Sequence, residues 1–253
     1  MRISQVTDQN GREENQDRAS VVPKILGAKK VIFLAVYDGM GGSEAGEVAA
    51  QITKEKMETW FEEEAKTFCA NRLLLADVRA PIMHAVNSTN SCILDWKKEH
   101  GKSLGSTMAA AVIVLDKETD AGEYIVINIG DSRCYKFGAR NTQITKDQTL
   151  AQREIDNGNL SAEDAKTDRR QHILVQCLGY TKDVEPDFYR GKIKRGDFFL
   201  LCSDGMYNTQ DIKDLAGAAK ESGRGTKEKL RIMIEQAKKN GEEDNITAVL
   251  AAV

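Results

Sequence analysis

The sequence predicts an α+β fold in one continuous domain, and three observations carry that class. Helical patterns come in pairs, whereas strand patterns come in close-set groups parted by Gly, Asp and Asn. The strict strand–helix alternation of a doubly wound sheet is missing, which points to antiparallel sheets covered by helix pairs. There is no internal repeat, low-complexity tract or proline-rich linker, and the only prolines are Pro23, Pro81 and Pro186.

From the N-terminus, residues 2 to 7 and 31 to 37 read as strands, the second apolar enough to be buried on both faces. Gly39, Gly41 and Gly42 break the pattern. Ser43 is placed to cap a helix whose Ala45, Val48, Ala49, Ile52 and Trp60 share one face. A second helix sets Ile82, Val86, Thr89, Ile93 and Trp96 at 3–4 spacing, with Pro81 near its start or at a kink, and ends at His100-Gly101. Residues 106 to 115, 123 to 129 and 132 to 137 read as strands of antiparallel hairpins, turning at Asp120-Ala121-Gly122 and Gly130-Asp131. A short helix is expected from Asp147 to residue 157, stopped by Gly158, and Ser161-Ala162-Glu163-Asp164 resembles another helix start. Residues 159 to 171 are polar and charged and are expected to be the most mobile. Strands follow near 173 to 176, 184 to 190 and 197 to 202. A last helix, 226 to 240, buries Leu230, Ile234 and Ala237, and a final strand spans 246 to 253.

Composition narrows the function. The chain has 253 residues at 41% hydrophobic content, enough for a sizeable core. Its net charge is −3 with acids and bases mixed, and no basic stripe marks it for nucleic acid. The longest apolar run, Met108 to Leu115, is too short to span a bilayer, and the N-terminus lacks the apolar core of a signal peptide. A soluble, cytoplasmic protein without membrane contact is expected. Cys69, Cys92, Cys134, Cys177 and Cys202 are odd in number and form no C-x-x-C pair, which disfavours a disulfide framework or a zinc site. Cys134 and Cys202 read as small buried hydrophobes.

The chemistry lies in four aspartates at the edges of apolar runs. Asp38 follows Val31 to Tyr37, Asp131 follows Tyr124 to Ile129, Asp204 follows Phe198 to Cys202, and Asp244 precedes Ile246 to Val253. Taken singly, Asp-Gly and Asp-Asn are ordinary turn dipeptides. Taken together they say more, because in an antiparallel sheet the end of one strand lies beside the start of its neighbour. Four carboxylates gathered at such an edge would repel by roughly 4 kcal/mol per close pair at an effective dielectric near 20. Hard divalent cations such as Mg²⁺ or Mn²⁺ relieve that repulsion through all-oxygen ligation, which makes metal-assisted hydrolysis the leading idea. Gly39 lets its carbonyl approach a cation. In Arg12-Glu13-Glu14-Asn15-Gln16-Asp17-Arg18, Arg12 suits a phosphate by bidentate hydrogen bonding and Asp17 adds a carboxylate. There is no P-loop (Trp96 stands where that motif needs Gly), no G-x-S-x-G elbow and no H-E-x-x-H. His84, His100 and His172 lie in no recognisable constellation.

Six stretches in order, Arg12-Glu13-Glu14-Asn15-Gln16-Asp17, Asp38-Gly39-Met40-Gly41-Gly42, Gly105-Ser106-Thr107, Gly130-Asp131-Ser132-Arg133, Ser203-Asp204-Gly205 and Asp244-Asn245-Ile246-Thr247, resemble the bacterial branch of the type 2C metal-dependent protein phosphatases, the PPM family. The resemblance covers nearly the whole chain. It implies a four-layer α-β-β-α sandwich, with two stacked antiparallel sheets flanked by helix pairs, as a single catalytic domain over residues 1 to 253. A flap subdomain is implied at about 145 to 190. It also implies two core Mn²⁺ or Mg²⁺ ions and a third, weaker one. Asp38 then bridges the core pair, and the Gly39 carbonyl helps hold the second ion. Asp204 and Asp244 bind the first, Asp17 acts through metal-bound water, Asp131 with Asp204 holds the third, and Arg12 binds phosphate. The implied reaction is in-line attack of a metal-bridging hydroxide on phosphoserine or phosphothreonine, without a phosphoenzyme.

Three positions depart from the pattern. Eukaryotic relatives have a His at Met40, proposed as proton donor; a thioether donates no proton, so a metal-bound water takes that role by inference. Gln16 stands where an acid is common, and Gln9 where a Gly is common. The implied partners are phosphorylated proteins, a cognate Ser/Thr kinase among them, with the chain acting as a monomer. Three other readings stay open: a phosphatase dedicated to one regulatory protein such as an anti-sigma antagonist, an inactive phosphoprotein-binding module, and a two-metal phosphodiesterase or nuclease. Arg169-Arg170 reads as a solvated charge pair before it reads as a phosphopeptide contact.

Overall fold

The structure, a computed structural model, describes residues 1–41, 45–70 and 75–253. Ser43, the expected helix cap, lies outside the described residues.

Two five-stranded antiparallel sheets stack face to face. In one, the order is β1 (Arg2–Asp8), β12 (Ile246–Ala252), β11 (Phe198–Cys202), β8 (Arg133–Phe137) and β9 (Asn141–Gln143). In the other it is β10 (Asp187–Ile193), β7 (Gly122–Ile129), β6 (Met108–Asp116), β3 (Lys29–Tyr37) and β2 (Arg18–Leu26). A short ribbon pairs β4 (Gly39–Gly41) with β5 (Leu104–Ser106).

The two-residue period of each strand sorts its side chains into layers. In β3, Ile32, Leu34 and Val36 enter the core between the sheets with Val126, Phe199, Leu201 and Val249. Val31, Phe33, Ala35 and Tyr37 face the other way, against α1 (Ala45–Glu64) and α3 (Leu75–His100), where Phe33 stacks on Phe61. On the far side, Leu200, Ala248 and Leu250 pack on α6 (Ile212–Lys220) and α7 (Thr226–Lys239) through Leu215, Leu230 and Ile234. The result is the expected four layers, helices–sheet–sheet–helices. Full burial on both faces is why β3 reads as an unbroken apolar run.

Several expectations need correction. Strand β2 was not foreseen, since Pro23 breaks its strand pattern; it is tolerated because β2 is the outer strand of its sheet, where a missing donor costs no ladder bond. Gly130-Asp131 is not a hairpin turn, because β7 and β8 belong to different sheets and the chain crosses between them there. Asp147 does not start a helix: α4 (Leu150–Asp156) is capped by Thr149, and the Asp147 carboxylate is taken by Arg133. Residues 173 to 176 form an isolated bridge between Thr149 and Leu174 in place of the expected strand, and the strand expected at 184 to 190 runs Asp187–Ile193 instead, after Pro186. Pro81 lies inside α3, towards its start at Leu75, which agrees with the expectation. The short α5 (Asp204–Tyr207) and α6 went unforeseen. The start of α6 does carry a signal, a reciprocal capping box between Asp211 and Asp214. Cys134 and Cys202 are buried and free, as expected.

Candidate active site

One end of the sandwich collects the strand ends that the sequence marked. Asp38 leaves β3, Asp131 lies in the crossing from β7 to β8, and Asp204 follows β11, whose Cys202 pairs with Arg133 of β8 and Ala248 of β12. Asp244 enters β12, and Asp17 precedes β2, whose Arg18 pairs with Tyr37 of β3. Arg12, Asp38, Gly39, Asp131, Asp204 and Asp244 all line one cavity of about 890 Å³. Asp17 lies beneath them, 2% exposed.

Short polar side chains fix these groups. The Ser203 hydroxyl donates to Asp17 Oδ2 at 2.7 Å and accepts from the Thr247 amide at 3.0 Å, tying β2 to β11 and β12. Thr107 binds the Asp38 backbone on both sides: its amide donates to the Asp38 carbonyl at 2.9 Å, and its hydroxyl accepts from the Asp38 amide at 3.2 Å. That hydroxyl also pairs with Ser132 at 2.6 Å, which links Asp38 to the Asp131 crossing. Tyr207 donates to the Asp131 carbonyl at 2.9 Å, and the Arg133 guanidinium lies over the Tyr207 ring at 3.5 Å. Asn245 is the least anticipated member. Its side-chain amide donates to the carbonyls of Gln9 and Glu14 at 2.8 and 2.9 Å, and its oxygen accepts from the Gln16 amide at 2.9 Å. One buried amide thus clamps the Arg12 loop onto the last strand. Its only sequence signal was its place beside Asp244.

Gly39 has a packing reason besides its carbonyl. A Cβ there would collide with the Gly46 carbonyl of α1 and lie 2.6 Å from the Gln16 carbonyl. The Gln16 side chain itself presses on Gly46, so Gln16 also serves the seat of α1. Arg170 is half-buried and held by Asp168 at 2.7 Å, outside the cavity lining.

The carboxylates strain one another. Burial raises the Asp17 carboxyl to about 7, helped by Asp204 and resisted by the Ser203 hydrogen bond. Burial first, then the Asp204 charge, lifts Asp131 to about 8, and burial with Asp244 lifts Asp204 to about 6. Asp38 is pushed well above the usual range by burial and by Asp17, Asp204, Asp131 and Asp244 together. The nearby cations are largely committed: Arg133 to Asp147 at 2.6 Å, and Arg12 to Asp244 at 2.6 Å. An all-oxygen, charge-dense, cation-poor set of this kind suits hard divalent ions. Among the described residues no three acidic, His or Cys side chains converge to ligand spacing. Asp244 is turned onto Arg12.

The fold agrees with comparison to known proteins. Residues 9–251 match the family described as Protein phosphatase 2C, and the chain belongs to that family. It is 29% identical to the serine/threonine phosphatase stp of Listeria welshimeri, over 96% of this chain and 88% of that protein. The crystal structure of the Mycobacterium tuberculosis serine/threonine phosphatase PstP/Ppp superposes with a TM-score of 0.81 at 28% identity, covering 100% of this chain and 98% of that one. A PstP catalytic domain solved in complex with two manganese ions superposes with a TM-score of 0.77 at 29% identity, covering 99% and 97%. Among the described residues no helix is long and apolar enough to cross a membrane.

Proposed function

We propose that the chain is a metal-dependent phosphoprotein phosphatase that hydrolyses phosphoserine and phosphothreonine. Membership of the protein phosphatase 2C family gives the reaction class, and the observation that carries the reading to this chain is the cavity edge. There Asp38, Asp131 and Asp204 hold carboxyls raised by burial and mutual repulsion, beside an arginine. Two divalent cations, Mn²⁺ or Mg²⁺, would supply a nucleophile at neutral pH and charge neutralisation at the phosphoryl group.

The chain's own residues divide the remaining work. Asp38, Asp204 and Asp244, with the Gly39 carbonyl, would hold the core ions, with Asp17 behind them and Asp131 beside Asp204 for a third. Arg12 binds the phosphoryl oxygens by its fork of N–H donors once it leaves Asp244. Met40, in the cavity wall, offers no proton to the leaving alkoxide, so that proton comes from solvent held at the site. Residues 145 to 190 form the proposed flap. It is anchored by Asn90 of α3, which accepts from the Gly179 amide at 2.7 Å and donates to the carbonyls of Thr181 and Lys182.

The biological reading is a single-domain, monomeric, cytoplasmic enzyme opposing a Ser/Thr kinase. Phosphate release from a phosphothreonine peptide, measured with added Mn²⁺ and set against a bis-substituted phosphate ester, tests it. Release from the peptide and not from the ester is the expected result. Release only from the ester favours a phosphodiesterase. No release by folded protein favours a binding module.

A further inference from the structure

The acidic edge fills only part of its cavity. At about 890 Å³ the space is near the top of the range for sites that enclose whole small ligands, roughly 300–1,000 Å³, and exceeds what a phosphoryl group needs. The rest of the wall includes Met40, Ile173, Val175 and Tyr180. Ile173 is 48%, Val175 41% and Tyr180 54% exposed; among the described residues the only other large hydrophobic side chain so exposed is Ile25, outside the cavity. Single exposed apolar side chains are commonplace, but three gathered on the wall of one site mark a contact surface.

These side chains are held in place. The Leu150 amide donates to the Ile173 carbonyl and the Val175 amide to the Gln148 carbonyl, both at 2.8 Å, around the Thr149–Leu174 bridge. Ile173 and Val175 are left exposed on the cavity wall, and half-buried Leu174 between them lines the cavity too. The Tyr180 ring lies on the backbone of Gly105, where a Cβ would come within 2.9 Å of it, and Lys97 Nζ stands 4.8 Å from the ring centre. Gly105 pairs with Met40 in the β4–β5 ribbon. Three chain segments thus bring a fixed apolar wall into the cavity that holds Arg12 and Asp38.

We propose that Met40, Ile173, Val175 and Tyr180 form an apolar subsite that takes a hydrophobic side chain flanking the phosphorylated residue of a protein substrate. The proposal rests on the phosphatase reading and gives it a substrate class. Continuity of the wall with the acidic edge selects the occupant: a segment whose phosphoryl group reaches Arg12 must lay its neighbouring residues in the same cavity.

Kinetics with two Mn²⁺-supported phosphothreonine peptides, one with Leu on both sides of the phosphothreonine and one with Ser, test this. Wild type is expected to favour the Leu peptide about ten-fold in kcat/KM, mainly through KM, as desolvation of a leucine implies. The I173S/V175S double variant and Tyr180→Ser are each expected to bring that ratio within about two-fold. Ile25→Ser, an equally exposed apolar position outside the cavity, is expected to keep it, and thermal melting establishes that each variant is folded. Equal use of the two peptides by wild type, or an undiminished preference in the double variant, overturns the subsite. If a small aryl phosphate and the Ser peptide are hydrolysed without any Leu preference, the subsite alone falls. If nothing is hydrolysed with any divalent metal, the phosphatase reading falls and the subsite with it.

Discussion

The Arg12 guanidinium grips the Asp244 carboxylate at two points, Nε to Oδ1 at 2.9 Å and Nη2 to Oδ2 at 2.6 Å. The proposed phosphate-binding group is therefore docked on a proposed metal ligand, and both oxygens of Asp244 are spoken for. If Asp244 holds a metal as proposed, metal binding and this ion pair would compete for the same atoms.

Arg12→Ala should then separate two properties. Mn²⁺ binding, read by calorimetry, is expected to tighten by about two- to five-fold, the scale of a partly exposed ion pair. In the same variant kcat/KM for a phosphopeptide is expected to fall by about 10²–10³-fold, the usual cost of removing a group that stabilises transition-state charge. Arg12→Lys should recover little of that rate, because an ammonium lacks the fork geometry. Weaker Mn²⁺ binding in Arg12→Ala would contradict the competition.

The raised carboxyls set the pH dependence of stability. Asp204, Asp17 and Asp131 stand at about 6, 7 and 8 in the folded chain, against an ordinary value of 3.8. The folded state thus holds more protons than the unfolded state between about pH 4 and 8, and the stability they contribute is lost as pH rises through that window. In EDTA the melting temperature is expected to drop by about 5 °C or more between pH 5 and pH 8. Excess Mn²⁺ should abolish the drop by supplying the missing positive charge. A flat or rising melting temperature in EDTA would count against a buried acidic cluster.

Much of this site was legible in advance, for a physical reason. Burying a strand on both faces demands a continuous apolar run, so the ends of β3, β7, β11 and β12 stand out, and with them Asp38, Asp131, Asp204 and Asp244. What escaped was set by non-local pairing. Nothing local in Gly130-Asp131 distinguishes a hairpin from a crossing between sheets. Asp147 has the composition of a helix cap, but Arg133, 14 positions earlier, claims it. Strand β2 hides behind Pro23, and only its outer position in the sheet reconciles the two. The roles of Ser203, Thr107 and Asn245 depend on partners far along the chain, which no spacing rule reaches.

Asn245→Ala tests the clamp. It removes one acceptor and two donors from a side chain 6% exposed and strands the backbone groups of Gln9, Glu14 and Gln16. Urea unfolding is expected to show a loss of about 2–4 kcal/mol, from several buried polar groups left unpaired. KM for a phosphopeptide should rise alongside, since the loop that presents Arg12 loses its anchor. Unchanged stability together with unchanged KM would mean that the loop is held by other contacts.

The central claim is that the gathered aspartates bind metal to hydrolyse a phosphoprotein, and Asp204→Ala challenges it most directly. Phosphate release from a phosphothreonine peptide would be followed for wild type and variant with Mn²⁺ and then with excess EDTA. We expect metal-dependent release by wild type, abolished by EDTA, and a loss of about 10²-fold or more in the variant. Full activity of folded wild type in EDTA, or an Asp204→Ala variant as active as wild type, would contradict the account.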